Sequence, residues 1–181
     1  IHTKFSQQKM VYKYQKISDK VSKYILEKKD NKLFSNNTKW FVTEKVHGSN
    51  FSIYYIDGKI QFSKRNGILG EDDWFYNYQL IKEKLIRNTK KVSELIGNKN
   101  IIIYGELFGG WYPENNEEWN GPKDIRINSK DISIVPFEER AIQEGIYYSK
   151  NIEFMVFDIG IVDKEGINFI DYYKMEEYIK Q

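Results

Sequence analysis

The sequence predicts an α+β domain built on an antiparallel sheet, and three observations carry that prediction. Short apolar segments alternate with polar residues, as in 51–55, where Phe, Ile and Tyr alternate with Ser and Tyr. Asp57-Gly58 lies between two such segments and is typical of a tight hairpin turn. Segments with helical spacing are interspersed among them. The 181 residues suffice for one domain, and we expect a single domain over 1–181.

The predicted elements follow from these patterns in chain order. The predicted strands are residues 40–44, 50–56, 59–64, 101–107, 152–162 and 167–170. The predicted helices are residues 18–27, 72–86, 89–96, 136–143 and 171–181, the last of them capped by Asp171. Residues 109–130, rich in Gly, Asn, Pro and Trp, are predicted to form a loop.

The composition excludes several classes of function. The absence of cysteine excludes disulfides, zinc–thiolate sites and cysteine nucleophiles, and two histidines argue against a His-rich metal site. No apolar run approaches the ~20 residues that a membrane span needs. The polar, Lys-rich N-terminus has no signal-peptide pattern. We therefore expect an intracellular protein, cytoplasmic or in an organelle or host cell, that is not secreted and has no membrane partner.

The positive charge is concentrated at the start of the chain. The formal net charge is only +2, but residues 1–30 contain the lysines Lys4, Lys9, Lys13, Lys16, Lys20, Lys23, Lys28 and Lys29. Such a cluster is either a solvated helix face or a surface that contacts phosphates. The sequence leaves both interpretations open.

The most informative stretch is residues 44–51, Glu-Lys-Val-His-Gly-Ser-Asn-Phe. Lys45 lies at the end of the predicted strand 40–44, and a deprotonated amine held there is a nucleophile. Gly48 would let the backbone approach a phosphate or ribose closely. The alternative is an exposed lysine before a turn, because short motifs often match by chance.

This stretch resembles motif I of the covalent nucleotidyltransferases, in the form typical of the RNA ligase 2 family. That family includes phage RNA ligases and kinetoplastid RNA-editing ligases. Most DNA ligases and capping enzymes carry Asp where this chain has His47, so the histidine favours an RNA ligase. The resemblance implies that Lys45 becomes covalently bonded to AMP. It also implies that Glu44, Val46, His47 and Asn50 form part of the nucleotide pocket.

Residues 62–67, Phe-Ser-Lys-Arg-Asn-Gly, resemble motif Ia of the same family. The resemblance implies that Lys64 and Arg65 contact phosphates or RNA, and that Arg65 belongs to the nucleotide site. A guanidinium offers a planar fork that suits phosphate oxygens. The alternative is a basic hairpin end, since loops often expose such charge.

Residues 103–110 resemble motif III and residues 154–159 resemble motif IIIa. The resemblance implies that Glu106 binds the ribose of ATP and that Phe157 stacks on adenine. The alternatives are a strand-end carboxylate in a salt bridge and an aromatic core residue, respectively. Phe154 and Phe157 are three residues apart, so they are predicted to face opposite sides of the strand and only one can line the pocket.

Motifs IV and V of the family are not seen in this sequence. Residues 164–167, Lys-Glu-Gly-Ile, superficially resemble motif IV, but Glu165-Gly166 between two apolar runs is predicted to be a hairpin turn. We therefore expect an incomplete adenylyltransferase domain of the ATP-grasp-like DNA and RNA ligase type.

The resemblance as a whole implies an ATP-dependent RNA ligase that uses Mg²⁺ and joins RNA ends bearing a 5′-phosphate and a 3′-hydroxyl. Neither metal ligands nor an oligomeric state is predicted. Two alternatives remain: a catalytically incomplete nucleotide- or RNA-binding module with the ligase fold, and a relative of DNA ligases or capping guanylyltransferases.

Overall fold

The computed structural model describes residues 12–14, 41–112, 141–143 and 145–181. The chain divides into two compact units, one formed by Ile1–Tyr12 with Val46–Gln181 and the other by Lys13–Lys45. Every strand and helix given below lies in the first unit. In the second unit, the described residues are 13–14 and 41–45, which have no regular secondary structure.

A six-stranded sheet forms the framework of the first unit, and each neighbouring pair of strands is antiparallel. The strands are β1 (Ser49–Ile56), β2 (Lys59–Lys64), β3 (Gly67–Ile68), β4 (Ile101–Gly109), β5 (Ile152–Val162) and β6 (Ile167–Phe169). Their order across the sheet is β3-β2-β1-β4-β5-β6. A 3-10 helix, Tyr78–Ile81, leads into α1 (Lys82–Leu95), and α2 (Tyr172–Lys180) follows β6. The predicted α+β class is confirmed.

The hairpin between β1 and β2 turns at Asp57 and Gly58, as predicted. Both residues have positive φ angles, 49° and 74°, which match a two-residue turn of type I′. The backbone N–H of Asp57 donates to the side-chain oxygen of Asn100 over 2.9 Å, and the Asn100 amide donates back to the Asp57 carboxylate over 3.1 Å. This reciprocal pair ties the hairpin to the residue that precedes β4.

One face of the sheet carries the apolar core. The buried residues of the core cluster are Phe51, Ile53, Phe62, Leu69, Tyr78, Leu85, Val92, Ile101, Ile103, Leu107, Ile142, Ile152, Ile159 and Met175. Leu85 and Val92 are seven residues apart in α1, two turns of helix, so they lie on the helix face that packs on the sheet. The Phe51 ring contacts the rings of Phe62 and Tyr78 at centroid distances of 5.6 and 5.2 Å.

A cavity of about 480 Å³ opens on this same core side and is lined by residues of α1, α2 and the core face of the sheet. None of the residues predicted to bind nucleotide lines it. The cavity is therefore separate from the site that the sequence predicts.

The opposite face of the sheet carries polar residues that are also buried. Ser52, Tyr54 and Tyr104 are all at most 5% exposed. The hydroxyls of Tyr54 and Tyr104 both donate to the backbone carbonyl of Tyr12, over 2.9 and 3.0 Å. Two neighbouring strands thus share one acceptor from the N-terminal segment.

The predicted strand at 40–44 is wrong over its described part, because residues 41–44 have no regular structure. Phe41 is 41% exposed and Val42 is 94% exposed. A half-buried strand needs one apolar face turned inward, and this segment buries neither residue.

The two helices predicted at 72–86 and 89–96 are also wrong in their boundaries. Tyr76 and Asn77 have φ angles of 47° and 55°, a left-handed conformation that cannot continue a right-handed helix. The Trp74 indole N–H donates to the Asn77 side-chain oxygen over 2.7 Å within this turn. Helical structure therefore begins only after Asn77, with the 3-10 helix that leads into α1. Helix α1 then continues through residues 87–88, the predicted gap between the two helices, where the sequence contains no helix breaker.

The C-terminal elements agree with their predictions. Strand β5 has the predicted bounds, and the backbones of Asp163 and Gly166 bond to each other in the turn that contains Glu165, as predicted. Glu165 therefore belongs to a hairpin turn, as predicted, and not to a motif IV strand. The Asp171 carboxylate accepts from the Tyr173 backbone N–H over 2.9 Å, so the predicted helix cap is confirmed.

Three predicted elements lie wholly or mostly outside the described residues. These are the helix at 18–27, most of the loop at 109–130 and most of the helix at 136–143. Residues 141–143, the described end of that last segment, are not helical.

Within the described part of the chain, no helix combines the length and the apolar character needed to cross a bilayer.

Because two tyrosines are buried, we expect the folded protein to lose stability at alkaline pH. Burial raises the pKa of the Tyr54 and Tyr78 phenols, and for Tyr78 the charge of Asp73 adds to the effect. In the unfolded chain both phenols ionise near the reference value of about 10. The stabilising effect is therefore complete below about pH 10 and is lost as pH rises through the higher folded-state pKa values.

Urea unfolding between pH 8 and pH 11 measures this loss as a falling free energy of unfolding. Tyr78→Phe should flatten the fall, whereas Tyr112→Phe, at a residue 51% exposed, should leave it unchanged. An identical pH profile for wild type and Tyr78→Phe would contradict the assignment.

Candidate active site

The motif I turn lies directly against β4 at Gly48. A Cβ atom placed on Gly48 would stand 1.9 Å from the carbonyl oxygen of Leu107 and 3.0 Å from Cγ of Glu106. The distance to the Leu107 oxygen is too short for any side chain and the distance to Glu106 is tight, so the close approach requires glycine. The turn is therefore held within van der Waals distance of Glu106.

The register of β1 and β4 brings Asn50 opposite Glu106. Cross-strand partners lie on the same face of a sheet with Cβ atoms about 4.5–5.5 Å apart. Both residues are half-buried. A carboxamide and a carboxylate side by side offer donors and acceptors to a sugar hydroxyl, as the prediction for Glu106 requires.

Phe157 occupies a β-bulge in β5. Tyr104 pairs with Asp158 but the next residue, Gly105, pairs with Val156, so β5 has one extra residue at Phe157. Phe154, Val156 and Ile159 pack against the core cluster. Alternation along the strand therefore places Phe157 on the other face, which carries Glu106.

Phe154 and Phe157 therefore face opposite sides of β5, as their spacing predicts. Phe154 packs its ring edge against Phe51 at a centroid distance of 5.7 Å and an interplanar angle of 79°. Of the two rings, Phe154 thus belongs to the core, and Phe157 is left as the candidate for stacking on a base.

The remaining motif I residues differ in their surroundings. Val46 is 7% exposed and anchors the start of the motif I turn in the first unit, whereas His47 is exposed. Glu44 and Lys45 are exposed and belong to the second unit, and Lys45 directly precedes Val46 in the chain.

The two basic residues of the predicted motif Ia lie at the end of β2. Lys64 pairs with Phe51, so alternation assigns it to the same side as Phe51 and Phe62, opposite the face of Glu106. Arg65 is exposed in the turn to β3, which the Ser63 hydroxyl holds by donating to the Gly67 carbonyl over 3.0 Å. The structure therefore does not bring Lys64 onto the face shared by Asn50 and Glu106.

Two contacts to the motif I turn were missed by the sequence analysis. The backbone N–H of His47 donates to the hydroxyl of Tyr148 over 3.3 Å, and the side-chain amide of Gln143 donates to the carbonyl of Gly48 over 2.8 Å. Both partners follow a long region without a recognisable motif, about 100 residues from the turn, so no local pattern pointed to them.

The described residues suit a nucleotide better than a metal ion. The paired Asn50 and Glu106 side chains, with an aromatic ring on the same face, match the needs of a ribose and a base. By contrast, no group of three or more His, Asp or Glu side chains among the described residues could hold a metal ion.

With this geometry in place, comparison with known proteins identifies the family. The model of the RNA ligase family matches residues 38–181, which is most of the chain. The chain belongs to the RNA ligase family, and the resemblance found in its sequence motifs is confirmed.

Among curated relatives, the chain is similar to two mitochondrial RNA-editing ligases of Trypanosoma brucei brucei. RNA-editing ligase 2 is 31% identical over 134 residues, which cover 70% of this chain and 31% of the relative. RNA-editing ligase 1 is 30% identical over 139 residues, which cover 66% of this chain and 28% of the relative. The chain thus spans less than a third of the length of these relatives.

Solved structures of a Naegleria gruberi RNA ligase are also similar. An apo form has a TM-score of 0.48 and 20% identity, and covers 76% of this chain and 30% of that one. A form with ATP and Mn has a TM-score of 0.44 and 18% identity, with the same coverage.

The close packing of Gly48 generates a prediction. Gly48→Ala should lower the free energy of unfolding by about 1–3 kcal/mol, because the new methyl group must push the turn away from the β4 backbone. Urea unfolding followed by circular dichroism measures this change. Gly70→Ala is the matched control, since its Cβ would meet Asp73 at an ordinary 3.5 Å. Equal unfolding midpoints for the two variants would contradict the packing described.

Proposed function

We propose that this chain is part of an ATP-dependent RNA ligase in which Lys45 forms a covalent bond to AMP. The observation that carries the proposal is the pairing of Asn50 with Glu106 next to a motif I turn that only glycine allows. Membership of the RNA ligase family supports the proposal, and the matched range, residues 38–181, includes Lys45.

The proposed reaction proceeds in three transfers. The deprotonated Lys45 amine attacks the α-phosphorus of ATP, a P–N bond forms, and the bond to pyrophosphate breaks. An oxygen of an RNA 5′-phosphate then attacks the same phosphorus and displaces the lysine. Finally, an RNA 3′-hydroxyl attacks the activated 5′-phosphate, AMP leaves, and the hydroxyl proton passes to solvent.

The other residues serve binding and orientation in this proposal. Glu106 accepts a hydrogen bond from a ribose hydroxyl, and Asn50 lies beside it to shape the pocket. Phe157 stacks on adenine, an interaction worth roughly 1–3 kcal/mol per base in nucleic-acid sites. Arg65 offers its guanidinium fork to phosphate oxygens.

Four further residues have supporting roles in the proposal. Val46 and His47 complete the nucleotide pocket, and Glu44 reads the adenine edge. Lys64, because it lies toward the other face, contacts RNA phosphates rather than ATP.

Magnesium is proposed as the ion that accompanies ATP and offsets the charge of its phosphates. RNA with 5′-phosphate and 3′-hydroxyl ends is the proposed partner, and an intracellular location stays a prediction.

The exposure of Lys45 favours a second candidate function, a module that binds nucleotide or RNA without forming an adduct. Tight ATP binding with no covalent AMP would support that candidate. A preference for GTP over ATP, or for nicked DNA over nicked RNA, would instead indicate a capping or DNA ligase relative.

Incubation with ATP labelled at the α-phosphate tests the nucleophile. Wild type should retain the label after denaturation, and Lys45→Ala should lose essentially all of it, because no other group replaces the amine. Lys59→Ala, which removes an exposed lysine at the hairpin, should retain the label. Unlabelled wild type, or full labelling of Lys45→Ala, would refute the mechanism.

The two phenylalanines of β5 provide a matched pair for the stacking role. Phe157→Ala should raise the Kd for ATP about 5- to 150-fold, the equivalent of losing one stacked base. Phe154→Ala should instead lower the thermal midpoint, because its ring packs against Phe51 in the core. Calorimetric titration with ATP and thermal unfolding separate the effects, and an unchanged Kd for Phe157→Ala would exclude stacking.

A further inference from the structure

The motif I turn is held by residues of one short stretch of chain, described over 141–143 and 145–151. Tyr148 accepts a hydrogen bond from the N–H of His47, and Gln143 donates one to the C=O of Gly48. The two backbone groups belong to neighbouring residues, which lie two and three residues after Lys45. The segment therefore contacts the turn through both a backbone donor and a backbone acceptor.

The holding segment is itself fixed to the end of β4. The backbone N–H of Ile142 donates to the Gly109 carbonyl over 2.9 Å, and the N–H of Gly110 donates to the Asn151 carbonyl over 3.1 Å. A Cβ on Gly109 would stand 2.3 Å from that same Asn151 oxygen, so the two backbones are in close contact. Ala141 and Ile142 are both 8% exposed, which adds apolar burial to the hydrogen bonds.

The Tyr148 ring adds a second link to β4. Its edge packs on the Phe108 ring at a centroid distance of 5.7 Å and an interplanar angle of 86°. Phe108 is two residues after Glu106 in the same strand, so both side chains lie on one face. Tyr148 thus connects the strand that carries Glu106 to the backbone that follows Lys45.

We propose that Tyr148 and Gln143 are positioning residues that hold the motif I turn in the geometry needed for lysyl-AMP formation. The proposal rests on the proposed function of Lys45. The physical reason is that attack on phosphorus demands a fixed direction of approach, and small displacements of a reacting group slow the reaction strongly. A turn held at both a backbone N–H and a backbone C=O cannot rotate freely.

The test compares Tyr148→Phe with Tyr147→Phe in rapid-mixing measurements of AMP transfer to the protein. Tyr148→Phe keeps the ring contact with Phe108 but loses the acceptor for the His47 N–H. We expect kcat for adduct formation to fall about two- to tenfold, the loss of one neutral hydrogen bond, with KM for ATP and the thermal midpoint unchanged. Tyr147→Phe, whose ring contacts Trp111, should match wild type.

Gln143→Ala should give a similar fall in kcat, because it removes the donor to the Gly48 carbonyl. The thermal midpoint should not change, since the side chain is exposed and contributes little to stability. The double variant with Tyr148→Phe should be less impaired than the product of the single effects, since both bonds restrain one turn.

Amide hydrogen exchange at His47 provides a readout that does not depend on activity. Exchange should accelerate in Tyr148→Phe and stay at the wild-type rate in Tyr147→Phe. Unchanged exchange, unchanged kcat, or an equal fall in kcat for both variants would overturn the positioning role. If wild type forms no adduct at all, the proposed function fails together with the rate claim. Faster His47 exchange in Tyr148→Phe would then still support the structural restraint by itself.

Discussion

The contact between Gly48 and the Leu107 carbonyl is the constraint on which the site depends. Because no side chain fits between them, only glycine lets the start of β1 lie this close to β4. In this position Asn50 of β1 pairs with Glu106 of β4. A slip of one residue would turn every side chain of β1 to the opposite face and would place Phe51, which is fully buried in the core, on the polar side.

The two faces of the sheet have different roles, since one packs against the apolar core and the other carries the residues of the candidate site. Phe154 and Val156 belong to the core side, and so do Ile159 and Ile161, although these two pairs are an odd number of residues apart. The bulge at Phe157 resolves this mismatch because its extra residue restores the alternation. One strand can therefore supply apolar residues to the core and still present an aromatic ring on the face that carries Glu106.

Features encoded by neighbouring residues were predictable, and features that depend on distant partners were not. Strand β5 and the Asp57-Gly58 turn follow from local alternation and turn chemistry, and both were predicted. The prediction of a strand at 40–44 was wrong because apolar residues alone do not provide a partner strand. The turn at Tyr76 and Asn77 contains neither Gly nor Pro, and the only local signal is Asn77, a residue type that tolerates positive φ. Tyr148 lies 101 residues from His47, beyond the reach of any local pattern.

The candidate site shows the same division. The motif resemblance supplied Lys45, Glu106 and Phe157 as candidates, but the bulge that orients Phe157 is a property of strand pairing.

The most direct measurement of covalent AMP transfer to Lys45 is tandem mass spectrometry of peptides from protein incubated with ATP and magnesium. We expect one AMP, bonded to the side-chain nitrogen of Lys45. AMP found on a different lysine, with Lys45 unmodified, would contradict it.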